Sequence, residues 1–152
     1  MSKIAVEDSY GRRTVFRGEL LIEETTDNGD KPQWLDIDIW RTEGGAFVVR
    51  KDVQYRVVHA RRGCSRLEGF SVREADDEDT VPCHVCAPDG VLPAEGWVPQ
   101  DRMTVDVYRD PQDLIDGLKV KGEWTRLSRS LLADLSEKDE RINRRWNTVA
   151  VY

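Results

Sequence analysis

Four residues in this sequence pair soft donor atoms with the spacing of a metal site: His59-x4-Cys64-x18-Cys83-x2-Cys86. The informative part is Cys83-His84-Val85-Cys86. Two thiolates so spaced in a tight turn can both reach one tetrahedral ion, and such a pair is half of most structural zinc sites. Cys64 has to arrive from elsewhere in the chain, and Pro82 and Pro88 bracket the turn and stiffen it. His59 ends a run in which Val53, Tyr55 and Val57 share its face, so strand alternation turns it inward. His84 lies inside the turn, where a side chain points away from the ion its neighbours bind. The spacing therefore predicts one structural zinc ion held by His59, Cys64, Cys83 and Cys86, with Asp89 or a water as the other options for the fourth position.

Each of these residues alone would read as a small buried hydrophobe or a core histidine. Together, around a segment without periodicity, they read as ligands. Three cysteines, an odd number, also fit a disulfide framework badly. A redox Cys-x-x-Cys follows a strand and opens a helix, whereas Pro88-Asp89-Gly90 here would break one. The string Val81-Pro82-Cys83-His84-Val85-Cys86 resembles the Pro-Cys-x-x-Cys of cytidine-type deaminases. Those enzymes also need a glutamate two residues after the ligating histidine for the acid–base step. His59-Ala60-Arg61 lacks it, and four protein ligands would close the coordination shell that catalysis needs open. A structural ion is the expectation.

Other groupings carry less. Asp36 and Asp38 share a strand face, about 7 Å apart from two strand rises. With Glu43 or Asp52 they could hold Mg²⁺ in a strand-borne nuclease site. However, Phe47-Val48-Val49-Arg50-Lys51 supplies no acidic residue two places before a lysine. Trp34 and Trp40 lie on that same face, and exposed aromatics in a polar rim mark binding hot spots. Trp34, Asp36, Asp38 and Trp40 are thus a candidate partner-binding face, with packing under the C-terminal helices as the alternative. The run Glu74-Ala75-Asp76-Asp77-Glu78-Asp79 reads as a solvated loop segment. The pairs Arg12-Arg13, Arg61-Arg62 and Arg144-Arg145 could meet a phosphate if they clustered. There is no phosphate-cradling glycine loop and no nucleophile elbow.

The elements that must position these residues follow from periodicity. Thr14 to Glu24 alternates, with Phe16, Leu20 and Ile22 assigned to one side, and Asp27-Asn28-Gly29-Asp30 signals a turn. Trp34 to Trp40 alternates strictly, and Glu43-Gly44-Gly45 is a hairpin turn. Ala46 to Arg50 and Val53 to His59 continue as strands, or as one bent strand interrupted at Lys51-Asp52, giving a β-meander over 13–59. Residues 60–96 form a metal-binding loop rich in Gly, Pro, Asp and Cys. A loop that long needs something besides apolar burial to hold it. In the β/α segment 102–152, Met103 to Tyr108 is a strand. Asp110 caps a helix with Pro111 at its first position, and Gly122 follows it. Ser128 caps a second helix with Leu131, Leu132, Leu135 and Ile142 on one face, and Thr148 to Tyr152 is a last strand.

The fold class expected is therefore α+β: an N-terminal antiparallel β-meander, a zinc-knuckle loop, then a strand and two short helices in one domain over 1–152. A chain of 152 residues suits that reading. The net charge of −6 disfavours broad phosphate-backbone binding. No apolar run approaches the ~20 residues of a membrane span. The N-terminus turns acidic before any leader-like apolar stretch, which points to the cytoplasm. Arginine in excess of lysine suggests a GC-rich bacterial or phage genome. The function expected is a non-enzymatic, zinc-stabilised protein-interaction module, an accessory subunit or inhibitor of a larger assembly. A nucleic-acid-binding accessory protein using the arginine pairs is the second option, and a metal-dependent hydrolase or nuclease at Asp36 and Asp38 the third.

Overall fold

A computed structural model describes residues 1–27, 29, 32–75 and 80–147 of the chain. The proposed last strand, Thr148 to Tyr152, lies outside the described residues, as do Asp76 to Asp79 of the acidic run. Five strands form one antiparallel sheet: β1 (Ser2–Glu7), β2 (Arg13–Thr25), β3 (Gln33–Thr42), β4 (Phe47–Tyr55) and β9 (Arg102–Tyr108), in the order β1-β2-β3-β4-β9. Between β4 and β9 run four short strands, β5 (Val57–Val58), β6 (Val72–Glu74), β7 (Val81–Pro82) and β8 (Trp97–Pro99). Three helices close the described chain: α1 (Pro111–Gly117), α2 (Arg126–Lys138) and α3 (Glu140–Trp146). The α+β class with an N-terminal meander is the observed one. The meander begins a strand earlier than its alternation suggested, because Ile4 and Val6 are too few to stand out as a period.

The contacts divide the chain into two compact units. The first is Met1–Glu24, Ile37–Arg50 and Thr104–Tyr152; the second is Thr25–Asp36 and Lys51–Met103. In the first, hairpin turns set the register. Asp8 Oδ1 accepts from the amides of Tyr10 and Arg12 at 2.9 and 3.0 Å, turning β1 onto β2. Thr42 N–H donates to Ala46 O at 2.8 Å, and Gly45 sits at φ +86°, where a side chain would be strained. Ile37, Ile39, Phe47 and Val49 on the sheet pack with Leu114, Leu131, Leu132, Leu135 and Ile142 of the helices. The helices thus cover the Leu/Ile face and not the face of Trp40. Trp40 belongs to a separate cluster with Val6 and Val48, packed by Ile4, Phe16 and Val105.

Three local features differ from the periodicity reading. Phe16 and Ile22 do not share a side: Phe16 packs with Trp40, whereas Leu21 and Ile22 are both in the helix-covered core and Leu20 is exposed. Two consecutive buried residues break the period of two that the face assignment assumed. The cap of α2 is Thr125, whose Oγ1 accepts from Ser128 N–H at 3.0 Å. Ser128 is instead in the first turn and donates its hydroxyl to Leu118 O at 2.6 Å. The single long helix expected from Leu131 to Ile142 is two helices. Asp139, in extended backbone, ends α2 and caps α3 through Arg141 N–H (2.9 Å) and Ile142 N–H (3.2 Å). By contrast, α1 starts as expected, with Asp110 Oδ1 accepting from Gln112 N–H at 2.7 Å and Pro111 in the first turn.

The second unit is held largely by short ladders. β5 pairs parallel with β7, and β6 pairs antiparallel with β8. Its buried apolar cluster is Cys64, Leu67 and Cys83, with Val57, Val72, Cys86 and Trp97 packed on it. Two of the cluster's three buried members are candidate metal ligands, and Val58, Ala87 and Val98 are buried in the same unit.

Candidate metal centre

Each ligand of the cluster is delivered by backbone pairing just described. His59 follows β5 directly and exchanges two 2.8 Å hydrogen bonds with Trp97, His59 N–H to Trp97 O and Trp97 N–H to His59 O. One residue earlier, Val58 O accepts from Cys83 N–H at 2.8 Å. The β5 segment therefore carries His59 and sets the height of Cys83 in the same stroke. Ala87 N–H returns to Cys83 O at 2.9 Å, closing one tight turn that brings Cys86 round beside Cys83. Cys64 follows a turn closed by its own N–H to Arg61 O at 3.0 Å and opens the 3-10 turn Ser65–Leu67.

The four donor atoms lie within 4.8 Å of one another. His59, Cys64 and Cys83 are buried and Cys86 is half-buried. His84, the other histidine, is exposed and outside the cluster. His59 turns Nδ1 toward the group, 3.9 Å from Cys86 Sγ.

The backbone prepares the sulfurs for negative charge. Ala60 N–H donates to Cys86 Sγ at 3.2 Å and Val85 N–H to Cys83 Sγ at 3.4 Å. The Arg61 amide also reaches Cys86, and the Arg66 amide reaches Cys64. Amide donors favour the thiolate, the form that binds metal. At Cys86 burial raises the pKa, but the amides of Arg61 and Ala60 and the neighbouring thiols outweigh it, and the net shift is downward. At Cys64 burial dominates and the shift is upward. Burial lowers the pKa of His59 and holds its imidazole neutral, as a ligand must be. One thiolate-prone sulfur, two further sulfurs and a neutral imidazole in a buried group fit a structural metal site. The cluster is compatible with a metal ion of soft-donor preference.

Comparison with family models, curated proteins and solved structures finds no match. Function has to be argued from the residues.

The carboxylates and tryptophans singled out by pattern are placed as follows. Asp38 is ion-paired with Arg50, whose Nε is 3.0 Å from Asp38 Oδ2. Arg50 also lies over the ring of Trp40, which is only 7% exposed and meets Phe16 edge-on at 5.8 Å. In the second unit Gln54 Nε2 bridges two carboxylates, donating to Asp36 at 2.7 Å and Asp52 at 3.0 Å. Trp34 is half-buried under the guanidinium of Arg56, 4.4 Å from the ring centroid. Arg56 is itself buried and ties down the turn after β2 through Gly29 O (2.7 Å) and Asp27. Of the arginine pairs, Arg62 covers the ring of Trp97 at 5.0 Å, Arg144 meets Glu140 at 3.0 Å, and Arg145 approaches Asp110 at 4.0 Å.

The second unit also contains a cleft of about 420 Å³. His59 and Cys83 form part of its lining, together with Tyr55, Phe70, Arg66 and His84. The signal for it in the sequence is slight: Phe70 is a lone aromatic in a polar, aperiodic stretch.

Proposed function

We propose that this chain is a non-enzymatic protein-interaction module stabilised by one zinc ion, acting as an accessory subunit or inhibitor of a larger assembly. The observation that carries this is the closed donor set: one imidazole and three thiols, all buried or half-buried, with amide hydrogens already aimed at the sulfurs. Sulfur and imidazole donors in fourfold array suit zinc above the hard cations. Four protein ligands leave no position for water or substrate, so the ion's role is to hold the second unit together. The carboxylates offered for a nuclease site are engaged with Arg50 and Gln54. Binding to a nucleic-acid backbone is disfavoured by the net charge of −6. What supports the reading is a donor set that would fill a tetrahedral shell, beside carboxylates at Asp36 and Asp38 that are already engaged.

The test has two arms. The purified chain should hold about one equivalent of zinc by elemental analysis, and Cys83→Ser should lose both the metal and stability. A folded chain without metal would end the structural-zinc part. Quantitative co-purification from the native host, with the Cys83→Ser variant as control, tests the module part. A partner retained equally by both proteins would separate binding from the metal.

A further inference from the structure

The cleft beside the metal ligands is lined in a way that neither the metal site nor the core explains. One side is aromatic: Phe70 is 45% exposed and meets Tyr55 edge-on at 5.6 Å. Pro99 and Val57 add apolar surface. Two further lining residues are polar and exposed: Arg66 brings a guanidinium, and His84 brings a ring N–H donor. Among the described residues no carboxylate lines the cleft, although acidic groups outnumber basic ones by 29 to 23 in the whole sequence. A guanidinium without a carboxylate beside it among the described residues, on an acidic chain, is local charge complementarity for an anion. The volume, about 420 Å³, falls in the range of sites that enclose a ligand or one large anchoring side chain. Partly exposed aromatics around such a depression, with a cation at hand, are the composition of an interface hot spot.

Arg66 and His84 belong to the turns that carry the metal ligands. Arg66 follows Cys64 by two residues, and its amide donates to that sulfur. His84 lies between Cys83 and Cys86. An ion that held those turns would hold Arg66 and His84 in place relative to the aromatic wall. Its contribution to binding would be preorganisation of the cleft and not contact with the ligand.

We infer that this cleft is the anchor site for a partner protein segment that presents an aromatic side chain flanked by carboxylates. The aromatic ring packs against the wall that Tyr55 and Phe70 form together, and the carboxylates accept from the Arg66 guanidinium and a ring N–H of His84. This rests on the interaction-module reading and names the chemistry of its partner.

The test uses the zinc-loaded full chain, isotope-labelled for amide shift mapping. The probes are Gly-Ser-flanked, capped peptides containing Glu-Trp-Glu, Lys-Trp-Lys or Glu-Ala-Glu, and oligothymidylate. Glu-Trp-Glu should give saturable shifts at Tyr55, Phe70 and His84, and the other two peptides should not. Phe70→Ala and Arg66→Glu should each weaken that binding about tenfold or more, as hot-spot truncations do. Both side chains are exposed, so zinc content and melting temperature of the same samples should stay at wild-type values. No saturable shift with Glu-Trp-Glu, an equal response to Lys-Trp-Lys, or binding indifferent to both substitutions would overturn the assignment. So would oligothymidylate binding that both substitutions abolish, since the cleft would then stack nucleobases. A native partner retained by Phe70→Ala removes the cleft and leaves the module reading. A metal-free chain removes the module's structural basis instead.

Discussion

At the scale of single residues, the histidine choice can be tested cleanly. His59 is buried with Nδ1 3.9 Å from Cys86 Sγ, and His84 is exposed in the intervening turn. His59→Ala should therefore weaken zinc binding far more than His84→Ala, measured by competition with a chromophoric chelator. The reverse order would mean that the wrong imidazole was chosen. Acid should release the metal, because protons compete for the imidazole and the sulfurs. His59 has its pKa lowered by burial, so it resists that competition until the pH is below the usual histidine range. Apparent affinity should fall as pH decreases and recover on return to neutrality. That these four residues gather was legible in the sequence because Cys-x2-Cys spacing and strand alternation are both local. The amides of Ala60, Arg61, Val85 and Arg66 that serve the sulfurs were not, since an amide's direction belongs to the folded turn and not to residue type. Arg56 was missed for a related reason: a charged residue at the end of an alternating run reads as solvated, yet here it is buried on Trp34.

At the scale of elements, Asp139 is the joint between α2 and α3, and it is nearly out of contact with water, 3% exposed. Burial alone would raise its pKa, but hydrogen bonds from Arg141 and Arg41 and from the Ile142 amide outweigh that, and the net shift is downward. A carboxyl whose folded pKa lies below its unfolded value stabilises the fold fully above that unfolded value, about 3.9. That contribution is lost as pH falls through the folded value. Asp139→Asn keeps the capping oxygen and removes the charge. It should lower stability by about 1–3 kcal/mol at neutral pH, in the range of a charged hydrogen bond. The difference from wild type should shrink below about pH 4. A constant difference across that range, by urea unfolding, would show that the charge is not the stabilising feature. The joint was invisible to periodicity because Leu131, Leu132, Leu135 and Ile142 stay in phase across it. Only the aspartate itself signals a new cap. The Trp40 strand face makes a separate prediction. The ring is buried by Phe16 and Arg50, so Trp40→Ala should cost about 3–5 kcal/mol of stability, as aromatic truncations in cores do. A variant that melts like wild type but loses a partner would return that face to the role of a binding surface.

At the scale of the whole molecule, the two units have interiors of different kinds. The first buries a continuous cluster from Leu21 to Ile142, made of aliphatic and aromatic side chains on sheet and helices. The second buries Cys64, Leu67 and Cys83 as a cluster, and also Val58, Ala87 and Val98. Apolar burial contributes roughly 1.5–3 kcal/mol per large side chain, and Leu67 is the largest of these, so they offset little of the ordering of a segment this long. The sequence showed this imbalance indirectly, as a long aperiodic stretch between two periodic ones. It could not show that short ladders, β5 with β7 and β6 with β8, run through that stretch, because two- and three-residue strands carry no readable period. If the metal supplies the missing stabilisation, its removal should act unequally on the two units. Hydrogen exchange on the chain before and after treatment with a strong chelator measures this. The amides of His59, Cys83 and Trp97, paired across the second unit, should lose their protection by orders of magnitude. The α2 amides over Leu131 to Leu135 should keep theirs, because the contacts that bury them contain no metal ligand. Uniform loss in both units would mean that the chain unfolds as one cooperative body and that the ion stabilises all of it. Unchanged protection at His59 and Trp97 would mean that the ladders suffice without the ion, and the structural role assigned to the metal would have to be given up.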